Sequence, residues 1–207
     1  TGSGKELIAR KIHKNSNRSK NPFIVMNGAL LQSDNYENEL FGSENKDGSV
    51  SYGFLEKASN GTLLIDEVSE IPLDTQAKIL RVLIDQKFKR INGTKDINVN
   101  IRIISSTSKD LKNEVAIGNF REDLYHRLNV VPVEIPELSS RPDDIPILIK
   151  YFQKKISEIN DIPEINLNVD EELLYSYDWP GNVRELRNLV ERISILSQNE
   201  NKSNITR

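Results

Sequence analysis

The chain has 207 residues, enough for one sizeable core with a smaller unit beside it, and its 31 acidic against 28 basic residues leave a net charge of −3. That balance supplies no basic field that would draw the chain onto nucleic acid, so any action on DNA is expected through another domain. With no cysteine, two histidines and no apolar run of membrane-spanning length, the composition argues against a disulfide framework, a transition-metal centre and a membrane span, and makes cytoplasm the default compartment.

The predicted elements alternate along the chain. A helix is expected from Lys5 to about Lys14, a strand over Phe23–Asn27, and a helix from Tyr36 to Phe41, followed by a loop. The apolar run Gly61-Thr62-Leu63-Leu64-Ile65 ends abruptly in Asp66-Glu67 and reads as a buried central strand with acids at its carboxyl end. Asp74 is expected to cap a helix with Ala77, Leu80, Val82, Leu83 and Ile84 largely on one face. Phe88 to Ile91, a turn at Asn92-Gly93 and a strand at Ile101–Ile104 form a hairpin-style lead into another core strand, and Val130 to Ile135 makes one more. From Arg141 the period becomes helical, first through Ile145, Leu148, Ile149 and Phe152, then Leu173 and Leu174, and finally Val183, Leu186, Leu189, Val190, Ile193 and Leu196. Asn199 to Asn204 is polar and reads as a linker. The whole pattern predicts an α/β fold, a doubly wound parallel sheet with a small C-terminal helical unit, and no internal repeat is visible.

Two motifs carry chemistry. Thr1-Gly2-Ser3-Gly4-Lys5-Glu6 fits the right-hand part of G-x-x-x-x-G-K-[ST], with the first glycine and the first strand expected before residue 1. Glycines at 2 and 4 let backbone N–H groups turn inward onto phosphate oxygens, and Lys5 adds a point charge that reaches the β and γ phosphates. Six residues alone would suit a Gly-Ser turn at the head of an amphipathic helix equally well. The second motif decides: ligands collect outside the carboxyl ends of an open parallel sheet, where Asp66 would hold Mg2+, directly or through water, and Glu67 would polarise an attacking water. Alone, Asp66-Glu67 is equally a strand running into an acidic turn. Together the two motifs predict an ATPase with ATP and Mg2+ as cofactors.

Five blocks then resemble the central AAA+ domain of bacterial sigma-54-dependent transcription activators. They are Thr1–Glu6, Glu39-Leu40-Phe41-Gly42, Gly61–Glu67, Phe120-Arg121-Glu122-Asp123-Leu124-Tyr125-His126-Arg127-Leu128-Asn129, and Trp179-Pro180-Gly181-Asn182-Val183-Arg184-Glu185-Leu186. The resemblance implies an AAA+ nucleotide-binding subdomain over residues 1–138, a helical lid over 139–198, and the start of a linker over 199–207. It implies a ring, usually a hexamer, in which hydrolysis between neighbouring subunits remodels the sigma-54 RNA polymerase. DNA would be bound through a C-terminal domain, and a sensor kinase met through an N-terminal receiver, both outside this chain. Arg121 and Arg127 would be arginine fingers on a neighbour's γ-phosphate, although outside the motif they would read as a salt-bridged surface helix with Glu122 and Asp123. Arg184 would sense nucleotide from the lid, and Asn27 would hydrogen-bond Glu67, unless it is only a strand-end turn residue. Trp179 would be a packing anchor and His126 a surface residue.

The departures from the family pattern are specific. The Gly-Ala-Phe-Thr-Gly-Ala segment that contacts sigma-54 has no counterpart in the shorter, polar stretch from Ser43 to Gly53. Ser108 stands where Asn or His usually aligns the attacking water, and Gly28 replaces a cysteine. Glu6, in place of the general Ser or Thr, is usual in this family and leaves magnesium more dependent on Asp66 and water. These features resemble the NtrX-type response regulators. The expected function is a nucleotide-controlled oligomeric regulator of a two-component system that does not engage sigma-54 through the usual loop. The alternatives are a true sigma-54 activator and a non-hydrolysing oligomerisation module.

Overall fold

The computed structural model describes residues 2–30, 36–163 and 171–203, with the backbone alone at 171–173 and 197–203. The chain divides into two compact units, one of residues 6–133 and one of residues 134–207 together with 1–5.

In the first unit the elements are α1 (Lys5–Lys14), β1 (Phe23–Asn27), α2 (Tyr36–Phe41), β2 (Ser43–Glu44), β3 (Val50–Ser51), α3 (Phe54–Lys57), β4 (Thr62–Asp66), α4 (Leu73–Asp85), β5 (Lys87–Lys89), β6 (Asp96–Asn98), β7 (Arg102–Ser105), α5 (Leu111–Ala116) and α6 (Glu122–Leu128). Strands β1, β4 and β7 form a parallel sheet in that order, with Asn27 opposite Asp66 and Ile65 opposite Ser105. The central place of β4 explains its composition. Thr62, Leu63, Leu64 and Ile65 are all buried, as a strand covered on both faces requires. The one polar side chain in that run is satisfied, since the Thr62 hydroxyl lies 2.9 Å from Nδ1 of buried His13. Met26, Leu40, Leu55, Ile79 and Leu124 complete the same core. Because the three strands run the same way, their carboxyl ends share one edge of the sheet.

Four expectations are corrected here. Helix α4 is preceded by Pro72 at its N-cap, and Asp74 lies in its first turn. Its buried face is Thr75, Gln76, Ile79 and Val82, whereas Ile84 is 61% exposed. Val130 to Ile135 forms no strand. Among the described residues it has no ladder partner, and Val130, Val131 and Val133 are exposed, so β-propensity alone does not make a strand there. The stretch from Ser43 to Gly53, expected as a polar loop, contains the antiparallel pair β2–β3.

In the second unit the helices are α7 (Asp144–Asn160), α8 (Glu171–Ser176) and α9 (Asn182–Ser203). Ile145, Ile149 and Ile156 of α7 pack with Leu186 and Val190 of α9, Leu138, Leu174 and Trp179. The Trp179 indole N–H donates to the Leu174 carbonyl at 2.9 Å, so the ring is buried without an unpaired donor. Helix α9 continues through Ser203 into the polar segment read as linker, and residues 204–207 lie outside the described residues. No helix among the described residues is long and apolar enough to cross a membrane.

Candidate functional site

The carboxyl edge of the parallel sheet gathers four of the polar side chains singled out by the sequence, Asn27, Asp66, Glu67 and Ser108. Asp66 ends β4, and both neighbouring strands donate to it: Ser106, just past β7, hydrogen-bonds Oδ1 through its hydroxyl, and Asn27 Nδ2 lies 3.4 Å from Oδ2. Asn27 Oδ1 accepts the Ala29 N–H at 2.9 Å. The resemblance implied Glu67 as the partner of Asn27, and in the structure this donor is directed at Asp66. Glu67 has left-handed backbone angles, φ 53° and ψ 55°. That conformation costs a non-glycine residue about 1–3 kcal/mol and is concentrated at functional sites. Its carboxylate is held through Oε2 by the backbone N–H of Ser108 at 2.9 Å and by the Ser108 hydroxyl at 2.8 Å.

Gly28 explains how the edge closes. Its N–H donates to the Asp66 carbonyl at 2.7 Å, and a Cβ at this position would lie 2.6 Å from the Glu67 carbonyl oxygen. Bare backbone here lets β1 approach the Asp66-Glu67 peptide closely. The sequence had singled out Gly28 without assigning it a consequence.

Of the residues read as a phosphate loop, Gly2 to Lys5 belong to the second unit and Glu6 to the first, and Thr1 lies outside the described residues. Gly2 and Gly4 have φ of +74° and +103°, backbone that glycine adopts readily, and the loop runs directly into α1 at Lys5. Glu6 in the first turn of α1 pairs with Arg10 across one turn, Oε1 to Nη2 2.6 Å. A Cβ on Gly2 would lie 3.0 Å from Arg184 Cβ, so Arg184, in the first turn of α9, sits beside the loop. Arg141 Nη2 donates to the Ser3 carbonyl at 3.0 Å, while its buried Nε has no partner among the described residues.

Arg121 is the N-cap residue of α6, and Arg127 lies in its last turn. The Arg121 guanidinium meets Asp123 through two contacts, Nε–Oδ1 3.0 Å and Nη2–Oδ2 2.7 Å. Hydrogen bonding between them raises the arginine pKa and lowers the aspartate pKa. Both side chains are nearly half exposed, so water screens the pair and leaves it easy to exchange. Arg127 Nη2 donates to the Leu83 carbonyl at 3.1 Å. His126 is exposed, 3.8 Å from Glu122 Oε1.

The segment from Ser43 to Gly53 is pinned. Arg90 donates to Glu56 twice at 2.7 Å and to Glu44 at 2.8 Å, with its guanidinium 5.4 Å from the centre of the Tyr52 ring. The two carboxylates raise the arginine pKa, Glu56 most. Glu44 N–H donates to the Ile91 carbonyl, and Asn45, Asp47 and Ser49 hydrogen-bond among themselves at the tip. Sequence reasoning did not find this clamp or the role of Ser106, because neither follows from spacing along the chain.

Among the described residues no group of three or more His, Cys, Asp or Glu side chains could hold a metal ion. A divalent cation here would be shared between a carboxylate such as Asp66, water and ligand oxygens, which is how magnesium is usually held.

Residues 1–134 match the family model described as the sigma-54 interaction domain, and residues 139–205 match that of the AAA+ ATPase lid domain. The chain is 46% identical over 208 residues to the nitrogen assimilation regulatory protein NtrX of Azorhizobium caulinodans, a match covering 100% of this chain and 46% of that protein. It is 42% identical over 207 residues to the DNA-binding transcriptional activator HyfR of Escherichia coli, covering 96% of this chain and 30% of that protein. The crystal structure of NtrX from Brucella abortus in complex with ATP superposes with a TM-score of 0.91 at 48% identity, covering 96% of this chain and 46% of that one. The chain spans less than half the length of each of these relatives.

Proposed function

The chain belongs to the sigma-54 interaction domain family, with an AAA+ α/β core and a helical lid, and from that premise we propose that it is the ATP-binding and ATP-hydrolysing central domain of an NtrX-type, two-component transcription regulator. The observation that carries the reading is the Asp66-Glu67 pair, placed at the carboxyl end of the central strand and hydrogen-bonded by Asn27, Ser106 and Ser108. Gly2 and Gly4 offer backbone N–H groups to phosphate oxygens, Lys5 neutralises the β and γ phosphates, and Arg184 senses the nucleotide from the lid. The orphaned Nε of Arg141 beside Ser3 fits a ligand rich in acceptors. Asp66 would hold Mg2+, directly or through water, and the ion would supply positive charge to the phosphate oxygens when bound. Glu67 polarises the attacking water as general base. Arg121 and Arg127 leave their resting partners to act on the γ-phosphate of an adjacent subunit, where they meet charge that develops in the transition state. The protein therefore works as a ring oligomer, expected to be a hexamer, in the cytoplasm. DNA and the sensor kinase are met through domains outside this chain. Calorimetry on the intact protein tests the binding half: Lys5→Ala abolishes ATP binding, and unchanged affinity would remove the phosphate-loop assignment.

The same protein does not engage sigma-54 through the usual loop. Remodelling a partner requires a contact that changes with nucleotide state, because hydrolysis without differential contact cannot bias the partner's equilibrium. The corresponding segment is a short polar hairpin held by Arg90, and this supports the reading. The likeness to HyfR, named a transcriptional activator, favours the second reading, a sigma-54 activator acting on RNA polymerase. Capture of sigma-54 with a transition-state nucleotide analogue, or ATP-dependent opening of a sigma-54 promoter in vitro, would establish that second reading.

A further inference from the structure

Gln76 is a fully buried polar side chain in α4, at a position the helical pattern gives no reason to single out. Its Nε2 donates to the Ile71 carbonyl at 2.7 Å and to the Asn119 carbonyl at 3.1 Å, and its Oε1 accepts the backbone N–H of Arg121 at 2.9 Å. Both amide hydrogens and one oxygen lone pair are thus in use, a demand that a carboxylate or thioether of the same length cannot meet. The three partners come from different places. Ile71 closes the 3-10 turn Val68–Glu70 that follows Glu67, Asn119 belongs to the connection after α5, and Arg121 caps α6. Asn119 is further tied to α5 by its N–H to the Glu114 carbonyl at 2.9 Å, and Phe120 and Leu124 lie in the core on either side of Arg121. The backbone at Arg121 is therefore fixed, while its guanidinium lies at the surface on Asp123.

We propose that Gln76 is a positioning residue: it sets the backbone from which Arg121 projects and links that point to the segment that follows Glu67. The inference rests on the reading of Arg121 as a residue that acts on the nucleotide of an adjacent subunit. A hydrogen-bonded hub of this kind makes the finger helix and the acid-bearing strand end move as one, so the site that a subunit contains and the arginine that it lends respond together.

A double-mutant cycle on the intact protein tests this, reading ATP affinity and turnover separately. Gln76→Met, which fills the space but forms none of the three bonds, lowers kcat at least tenfold with the ATP Kd within about twofold of wild type, the signature of a lost transition-state contact. Adding Gln76→Met to Arg121→Ala then lowers kcat no further than Arg121→Ala alone, within about twofold. Gln76→Glu keeps the shape and the acceptor oxygen for the Arg121 N–H and is carried through the same cycle, so misfolding of the methionine variant does not decide the matter. Wild-type turnover in folded Gln76 variants while Arg121→Ala is impaired overturns this inference alone, as does a multiplicative loss of the residual turnover in the double variant. Wild-type turnover in Arg121→Ala overturns the finger assignment and this inference with it.

Discussion

Ser108→Ala tests how Glu67 is held. The alanine variant removes one of two hydrogen bonds to Glu67 Oε2, the 2.8 Å contact from the hydroxyl, and keeps the 2.9 Å contact from the backbone N–H. A hydrogen bond to a charged group is worth about 1.5–3 kcal/mol, and the exposed position of Ser108 argues for the lower end. If that contact holds the carboxylate in its working orientation, losing about 1.5 kcal/mol of transition-state stabilisation slows turnover about tenfold. Steady-state phosphate release across ATP concentrations reads it: kcat falls about tenfold, KM stays within about twofold, and Ser108→Thr, which keeps the hydroxyl, stays close to wild type. An unchanged kcat in Ser108→Ala, measured beside an inactive Glu67→Gln, would refute the argument that this hydroxyl orients the carboxylate.

Arg121→Ala and Arg127→Ala should bind ATP nearly normally and lose turnover, and mixing either with Glu67→Gln protein should restore part of it, because a mixed interface pairs an intact acid with an intact arginine. Absence of rescue in demonstrated mixed oligomers counts against action across the interface. Trp179→Ala leaves a cavity in the helical unit and should cost about 3–5 kcal/mol, visible as a lower thermal midpoint; an unchanged melting curve removes the anchor role. Arg90→Ala leaves Glu44 and Glu56 without their shared partner, so hydrogen exchange over Ser43–Ser51 should accelerate while that of Thr62–Asp66 does not. Equal protection over Ser43–Ser51 in wild type and Arg90→Ala would show that the hairpin holds without the clamp.

The central strand was legible because burial on both faces leaves a plain mark, a continuous apolar run from Thr62 to Ile65 that stops at charge. The amphipathic helices α1 and α7 were legible through their period. Strands of two residues, such as β2 and β3, are too short to show any period, and the partner that Glu44 of β2 finds in Arg90 lies far along the chain. Val130 to Ile135 showed the opposite failure: the residues favour a strand, but a ladder needs a partner and the described residues offer none. In the candidate site the sequence pointed to Asp66, Glu67 and the glycines through residue type and motif alone. The partners of those residues were not legible, since a hydrogen bond such as Ser106 to Asp66 or Gln76 to Arg121 depends on how strands and helices meet in space. Gln76 in particular lies between Thr75 and Ala77 and is fully buried, a placement that its residue type does not reveal.

The most direct test of the account is ATP turnover by the intact protein as a function of its own concentration, compared with Glu67→Gln under the same conditions. On the proposal that each site borrows arginines from an adjacent subunit, wild-type turnover per subunit should rise with concentration to a plateau, while Glu67→Gln binds ATP with similar affinity and stays near the uncatalysed rate. Turnover in Glu67→Gln equal to that of wild type would contradict the assignment of Glu67 as the base on which the account depends.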